Sequence, residues 1–294
     1  MDDRTDIYDA QFVKGVFDRC SERYIAFSWI CSFGFTERWR RQCVEALPPL
    51  SGAPSGYDLM AGTGEAWPHL LKRFPGLGGI IAVDISSGMH ARAMERLHAH
   101  RTDRIRFVED DVLASEIPGD SADFIISTFG LKTFRPDQHA RLAVLVARCL
   151  RPGGAFSMIE ASDPKGWWLR PLYLFHLKVV LPWVEWVFLR GAQDFSMIGT
   201  YNTNFGDASG FADHLRRQGL DVTFKRYFSA APRASMAVSP WPEAGKGRGY
   251  WPRRSKLAKQ IPAKNSNRIT QPSQVRGIMA RSPNFAPRLN HVLG

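Results

Sequence analysis

Tyr57-Asp58-Leu59-Met60-Ala61-Gly62-Thr63-Gly64-Glu65 reads as a short strand, a glycine turn and the start of a helix. Gly62 and Gly64 let the backbone turn sharply and approach a bound molecule with no Cβ in the way. The helix that follows points its free N–H groups into the same space. Two glycines after a strand also make ordinary turns, so the stretch needs a second observation beside it.

That observation is Gly79-Ile80-Ile81-Ala82-Val83-Asp84, a second apolar strand ending in an acid. An acid about twenty residues beyond a glycine turn is where doubly wound folds bind ribose hydroxyls. Ala66 and Trp67 follow Gly64, so the last glycine of the dinucleotide fingerprint is missing. The pair of motifs favours an adenosine-containing ligand other than a dinucleotide, with S-adenosylmethionine as the leading candidate.

A chain of 294 residues is long enough to bury a sizeable core. Its acidic, polar start, Met1-Asp2-Asp3-Arg4-Thr5-Asp6, predicts no secretory signal and a cytoplasmic protein. Cys20, Cys31, Cys43 and Cys149 show no metal-type spacing and read as reduced thiols, so no metal is expected. The net charge of +11 is concentrated late: residues 240–294 hold eleven Lys and Arg against Glu243 alone. The body is close to neutral, and no nucleic-acid partner is expected from the overall charge. Oligomeric state is not legible.

Residues 6–47 have helical spacing, carried by Phe12, Val13, Val16, Phe17 and Cys20 and resumed from Phe35, until Pro48-Pro49. Strands are then expected near 56–60, 79–84, 104–109, 122–128 and 154–160, with helices near 65–74, 87–100 and 136–150. This alternation predicts an α/β fold, a mostly parallel, doubly wound Rossmann-like sheet. A helix over 207–218 and an alternating strand over 220–228 follow. Two further loops reach the ligand edge of the sheet: Glu109-Asp110-Asp111-Val112, where a carboxylate suits an adenine amino group, and Ile126-Ser127-Thr128-Phe129-Gly130. An acidic turn in solvent is the plainer reading of the first.

These residues together resemble a class I S-adenosylmethionine-dependent methyltransferase. More narrowly, the chain is similar to the ubiquinone/menaquinone-biosynthesis C-methyltransferase family over roughly residues 12–228. The likeness rests on Val16-Phe17-Asp18, Arg23-Tyr24, Ser32-Phe33-Gly34 and Trp39-Arg40 before the glycine turn. It continues in Asp58-Leu59, Gly62-Thr63-Gly64, Val83-Asp84-Ile85-Ser86, Met89, Phe107-Val108, Asp111, Gly130-Leu131 and Arg148 to Gly154. The resemblance implies S-adenosylmethionine as cofactor. Asp58, Gly62, Thr63 and Gly64 would line its methionine end, Asp84 and Ile85 its ribose, and Asp111 and Val112 its adenine. Met89 would pack on the ring, unless it is ordinary helix core, and Ser127 completes the set.

Departures concern the methyl acceptor. Family members with quinone roles carry Gly-Leu/Ile-Arg-Asn where this chain has Gly130-Leu131-Lys132-Thr133, and an aspartate where Ile25 follows Tyr24. Tyr24, Lys132 and Thr133 are therefore the candidates for handling the acceptor's proton, as substitutes for the family's polar set. His176 is a further candidate base by its proton affinity, although a surface or core histidine is the commoner case.

Residues 163–205 form a strongly apolar insertion containing Trp167, Trp168, Tyr173, Phe175, Trp183 and Trp186. Arg170, Lys178, Glu185, Arg190, Pro171 and Pro182 exclude a simple membrane span. Three readings remain open: helix core, a helical lid over a lipophilic small-molecule substrate, or an interfacial segment touching the inner face of the membrane through 167–190. Tyr201, Asn202 and Asn204 at its far end are candidate pocket contacts.

After Phe228 the chain becomes rich in Pro, Arg, Ser, Lys and Asn, and residues 229–294 are expected to be a basic disordered tail outside a domain of residues 1–228. In the family the last strand is followed by Gly-Cys-Ala-Thr-Gly-Val-x-Gly-Arg. Ala230-Ala231-Pro232-Arg233-Ala234-Ser235-Met236-Ala237-Val238 can be encoded so that the frame one nucleotide earlier reads Gly-Cys-Ala-Thr-Gly-Val-Asn-Gly-Arg. The tail is thus expected to be an out-of-phase reading; a basic arm for nucleic acid or an anionic membrane is the rival.

Overall fold

The computed structural model describes residues 6–32, 34–100, 102–162, 168, 170–180, 183, 195–227 and 233–238. Helices α1 (Ala10–Cys20), α2 (Tyr24–Cys31) and α3 (Phe35–Glu45) precede the first strand. Asp9 caps α1 by accepting from the backbone N–H groups of Gln11 at 2.9 Å and Phe12 at 3.2 Å. Val13, Val16 and Cys20 then fall on one face and are buried.

The sheet contains β1 (Ser55–Leu59), β2 (Gly79–Asp84), β3 (Ile105–Glu109), β4 (Ala122–Thr128), β5 (Leu150–Ser162), β6 (Thr223–Tyr227) and β7 (Arg233–Val238). Its order is β3-β2-β1-β4-β5-β7-β6. Strands β1 to β5 are parallel, and β7 runs antiparallel between β5 and β6. The crossovers between the parallel strands put helices on both faces, and the expected doubly wound architecture is the one observed.

Helices α4 (Trp67–Arg73) and α5 (Ser87–His100) join α3 over one face. Helices α6 (Pro136–Cys149) and α9 (Ser209–Arg217) cover the other. Each fully buried leucine, such as Leu59, Leu70 or Leu142, contributes about 2 kcal/mol through removal of apolar surface from water. Helices α7 (Arg170–Phe175) and α8 (Phe195–Phe205) flank a π-helical turn at His176–Val180. Apart from Trp168 and Trp183, the rest of the apolar insertion, Trp167 and Trp186 included, lies outside the described residues.

Two expectations change. Strand β5 begins at Leu150 rather than near 154, with a register irregularity against β4 between Ala122 and Phe124 and a left-handed Gly153 at φ +83°. The boundary at 228 also moves, because Arg233–Val238 pairs along both β5 and β6. Strand pairing uses backbone donors and acceptors, so a stretch without apolar periodicity can still complete a sheet when two open edges face it. Residues 229–232 and 239–294 lie outside the described residues.

Candidate functional site

The carboxyl ends of β1, β2 and β4 open into one cavity of about 860 Å³, its open mouth included. Such a crevice is where open α/β sheets hold ligands. Two residues with side chains adopt left-handed backbone at its edge, Met60 at φ +54° and Phe129 at φ +67°. That conformation costs about 1–2 kcal/mol each, and it brings the ends of β1 and β4 together. A Cβ on Gly130 would lie 2.4 Å from that of Met60, which explains the glycine there.

The two turn glycines do different work. A Cβ on Gly62 (φ +56°) would meet no atom within 4 Å, so it would project into open cavity. A Cβ on Gly64 (φ +72°) would lie 2.4 Å from the Trp67 ring, which the turn must clear. The Trp67 Nε1–H donates to Asp58 Oδ2 at 2.8 Å, while the buried Asp58 Oδ1 has no partner. Burial pushes the Asp58 carboxyl up to about 7, opposed by the Trp67 hydrogen bond and helped by the nearby Asp84 charge. Thr63 Oγ1 is a second buried oxygen with no partner.

Asp84 accepts from the Gly62 N–H at 2.8 Å and the Ser86 N–H at 2.9 Å. Burial still raises its pKa, against those two bonds. Helix α1 is clasped onto the loop after β2: Lys14 Nζ donates to Ile85 O at 3.0 Å, and Asp18 Oδ1 accepts from Ser86 Oγ at 2.6 Å and Gly88 N at 2.9 Å. Ile85, Met89, Asp111, Val112 and Leu113 line the far end of the cavity, Met89 and Val112 being buried there.

The opposite wall is aromatic, with Phe17, Tyr24, Phe129 and Phe134. Burial raises the Tyr24 hydroxyl pKa, which keeps it neutral. On this wall Arg40, 3% exposed, pairs with Glu65 at 2.5 Å, and its guanidinium lies 5.2 Å from the centre of the Phe129 ring. Neither Arg40 nor Glu65 was among the candidates from sequence. The signal was present for Arg40: α3 buries Thr36, Trp39, Arg40, Cys43 and Val44, so an arginine occupies the inward stripe of an amphipathic helix.

The sequence candidates divide. Tyr24, Thr133, Gly62, Thr63, Asp84, Ile85, Met89, Asp111 and Val112 line the cavity. Thr133 Oγ1 donates to the Gly130 carbonyl at 2.8 Å. Asp58 and Gly64 stand behind the lining, joined through Trp67, and Ser127 is fully buried with an unpartnered Oγ. Lys132 and His176 are not brought to the cavity wall. Lys132 Nζ donates to the Phe129 carbonyl and pairs with the buried Glu160 Oε1 at 2.9 Å. His176, in the π-helical turn, bonds to the Ile30 backbone, and burial lowers its pKa. Tyr201 and Asn202 are buried away from it, with Tyr201 Oη donating to Ile7 O at 2.6 Å and Asn202 Nδ2 to Tyr173 Oη at 2.9 Å.

A glycine turn with open space above Gly62, a paired acid at Asp84 and an apolar slot at Met89 and Val112 agree with what comparison finds. The profile of the ubiE/COQ5 methyltransferase family matches residues 4–232. The chain belongs to this family. It is similar to the demethylmenaquinone methyltransferase of Shouchella clausii, at 25% identity over 78% of this chain and 97% of that protein. It is also similar to the ubiquinone/menaquinone biosynthesis C-methyltransferase of Rubrivivax gelatinosus, at 29% identity over 72% of this chain and 80% of that one. Among solved structures, the phosphoethanolamine N-methyltransferase 2 of Haemonchus contortus superposes with a TM-score of 0.53 at 14% identity. That match covers 82% of this chain but only 61% of the larger enzyme, and it bears on the fold alone.

This methyltransferase uses S-adenosylmethionine. Its residues fit that cofactor: the unpartnered Asp58 Oδ1 and Thr63 Oγ1 offer acceptors near the glycine turn, and the space above Gly62 admits a ligand to the backbone. Among the described residues of this methyltransferase, no helix is long and apolar enough to cross a membrane.

Proposed function

We propose that this methyltransferase adds a methyl group to a ring carbon of a prenylated quinol, in ubiquinone or menaquinone biosynthesis. One observation carries the reading: the chain aligns with curated quinone methyltransferases along nearly their whole length. The cavity is in keeping with it, because the polar cradle around Gly62 and Asp84 faces the aromatic wall of Phe17, Tyr24, Phe129 and Phe134. Pockets of a few hundred Å³ with such walls suit an aromatic ring bearing an apolar tail.

In this reading Asp84 and Ile85 hold the ribose, Asp111, Val112 and Met89 the adenine, and Asp58, Gly62, Thr63 and Gly64 the methionine end. The cofactor supplies an already activated methyl group. The chain's own task is therefore to align the acceptor, exclude water and manage one proton. Helix α1, held by Lys14 and Asp18, closes one side of the site against solvent. Phe129 and Phe134 fix the ring plane.

The described residues also support contact with a membrane surface. Of their exposed large apolar side chains, all but Val144 lie on α2 (Ile25, Trp29, Ile30) or between Trp168 and Trp183. His176 links the two stretches through the Ile30 backbone. Tyr24, on the same helix as Trp29, reaches the cavity, so a prenyl tail can pass from the ring pocket to this apolar surface.

The test is transfer of labelled methyl from S-adenosylmethionine into a bacterial lipid extract containing reduced, demethylated quinones. Label in a quinone ring, read by product mass, is the expected result. Label confined to another lipid would keep the methyltransferase and replace the substrate.

A further inference from the structure

We infer that Glu65 is the base that takes the acceptor's hydroxyl proton and that Arg40 holds the oxyanion left behind. The inference rests on the quinol reading above and names the residues that perform its proton step.

Charged side chains on the described cavity lining are few: Arg40, Glu65, Asp84, Asp110 and Asp111. Asp84 accepts from two backbone N–H groups and is assigned to the ribose end. Asp110 and Asp111 are engaged by their own loop, through Ser115 Oγ at 2.7 Å and Leu113 N at 2.9 Å. Lys132, which stands where the family has arginine, spends its charge on Glu160 behind the wall. The pair left on the aromatic side is Arg40 and Glu65, 2.5 Å apart, with side chains 4% and 12% exposed. Tyr24 shares this corner, since its hydroxyl feels both Arg40 and Glu65.

Electrostatics permit the exchange. Before transfer, one guanidinium faces one carboxylate and a neutral hydroxyl. After it, the same guanidinium faces a neutral carboxyl and a phenolate. Net charge in a poorly hydrated corner is unchanged, so no new desolvation is incurred. A phenol holds its proton more tightly than a carboxyl does, so the transfer is uphill; Arg40, which faces the Glu65 carboxylate beforehand, faces the phenolate afterwards, and the step never leaves a bare anion. The bonding balances as follows. The O–H bond breaks toward Glu65, and the ring carbon ortho to the oxyanion bonds the methyl as the methyl–sulfur electron pair stays on sulfur. That carbon then loses its hydrogen as a proton to water, which restores the aromatic ring, while Glu65 returns its proton to the ring oxygen, so one proton is released overall and the carboxylate is reset.

The experiment compares wild type with Glu65→Gln, Glu65→Asp and Arg40→Lys, using reduced demethylmenaquinone, and measures S-adenosylhomocysteine affinity by calorimetry. We expect Glu65→Gln to lower kcat at least 100-fold and S-adenosylhomocysteine affinity less than 3-fold, with Glu65→Asp recovering part of the rate. The deficit should shrink with a quinol whose hydroxyl is made more acidic by an electron-withdrawing ring substituent. Arg40→Lys should lose rate with the ordinary quinol more than with the acidic one. Affinity for S-adenosylhomocysteine falling in step with kcat would overturn the inference and make the pair a cofactor clamp. Near-normal kcat in Glu65→Gln would overturn it as well. Wild type giving no ring-methylated product would instead remove the quinol reading beneath it.

Discussion

Lys132 and Glu160 form a buried ion pair, Nζ to Oε1 at 2.9 Å, with side chains 5% and 0% exposed. Glu160 Oε2 also accepts from the Lys132 backbone N–H at 3.0 Å, so the pair fastens the turn Leu131–Thr133 to β5. The residue that replaces the family's arginine is therefore a structural tie. Lys132→Met should cost about 3 kcal/mol in urea unfolding, because it leaves a buried carboxylate unpaired. Adding Glu160→Gln should return most of that loss, since the glutamine keeps an acceptor for the Lys132-position N–H.

The turn glycines separate binding from stability. Gly62→Ala should cost only the left-handed penalty of about 1 kcal/mol, yet lower S-adenosylhomocysteine affinity more than 10-fold by filling ligand space. Gly64→Ala should cost at least about 3 kcal/mol, because its methyl displaces Trp67 and with it the bond to Asp58. Thermal denaturation and calorimetry on the two variants give the contrast directly.

Asp58 supplies a pH signature. Burial pushes its folded pKa up to about 7, against the ordinary 3.8 of an unfolded aspartate, so the folded state holds the extra proton between those values. Stability therefore falls as pH rises from about 4 to 7, and Asp58→Asn should stabilise the free protein at pH 8, on the order of 2 kcal/mol. In the proposed placement of the methionine end near Asp58, the ligand's cationic amine favours the ionised carboxylate. Affinity for S-adenosylhomocysteine should thus weaken as pH falls below about 7, and Asp58→Asn should be weaker throughout and flat over that range. Calorimetry from pH 5.5 to 7 reads both.

The exposed apolar surface proposed to meet a membrane is tested with vesicles. Phosphatidylethanolamine/phosphatidylglycerol vesicles should carry the wild-type protein in flotation. Trp29→Ser with Trp168→Ser should lower the bound fraction at least 3-fold while leaving thermal stability within about 0.5 kcal/mol, since both side chains are exposed. Equal flotation of both proteins would remove this surface from the contact.

The out-of-phase reading of the tail is tested by resequencing the gene across codons 228–240. The expected result is a frame one nucleotide earlier that reads Gly-Cys-Ala-Thr-Gly-Val-Asn-Gly-Arg; codons that exclude this rereading overturn it. Truncation adds a structural check: a chain ending at 240 should unfold cooperatively, and one ending at 228 should not.

Much of the sheet was legible because period, turn chemistry and an acid at the right separation agreed across Tyr57–Asp84. The glycine turn and the acid that line the cavity are local to those loops, so residues close in sequence pointed to them. The aromatic and charged part of the lining was not, because it is assembled from α2, α3, the glycine turn and the end of β4. Arg40 and Glu65 meet across 25 positions, and neither has a spacing that marks it. Lys132 misled for the opposite reason: its position matched a motif, while its charge is claimed by Glu160, a residue unremarkable in an apolar strand. Strand β7 escaped because its place is set by the two edges around it.

That placement has a consequence for how the chain is made. Strand β6 leaves the ribosome before β7 but reaches the rest of the sheet only across it. Until residues 233–238 emerge, β6 has no described ladder to join and β5 keeps an open edge, so the nascent sheet waits on these six paired residues. A chain cut short before them loses two strands at once, although only one has been deleted.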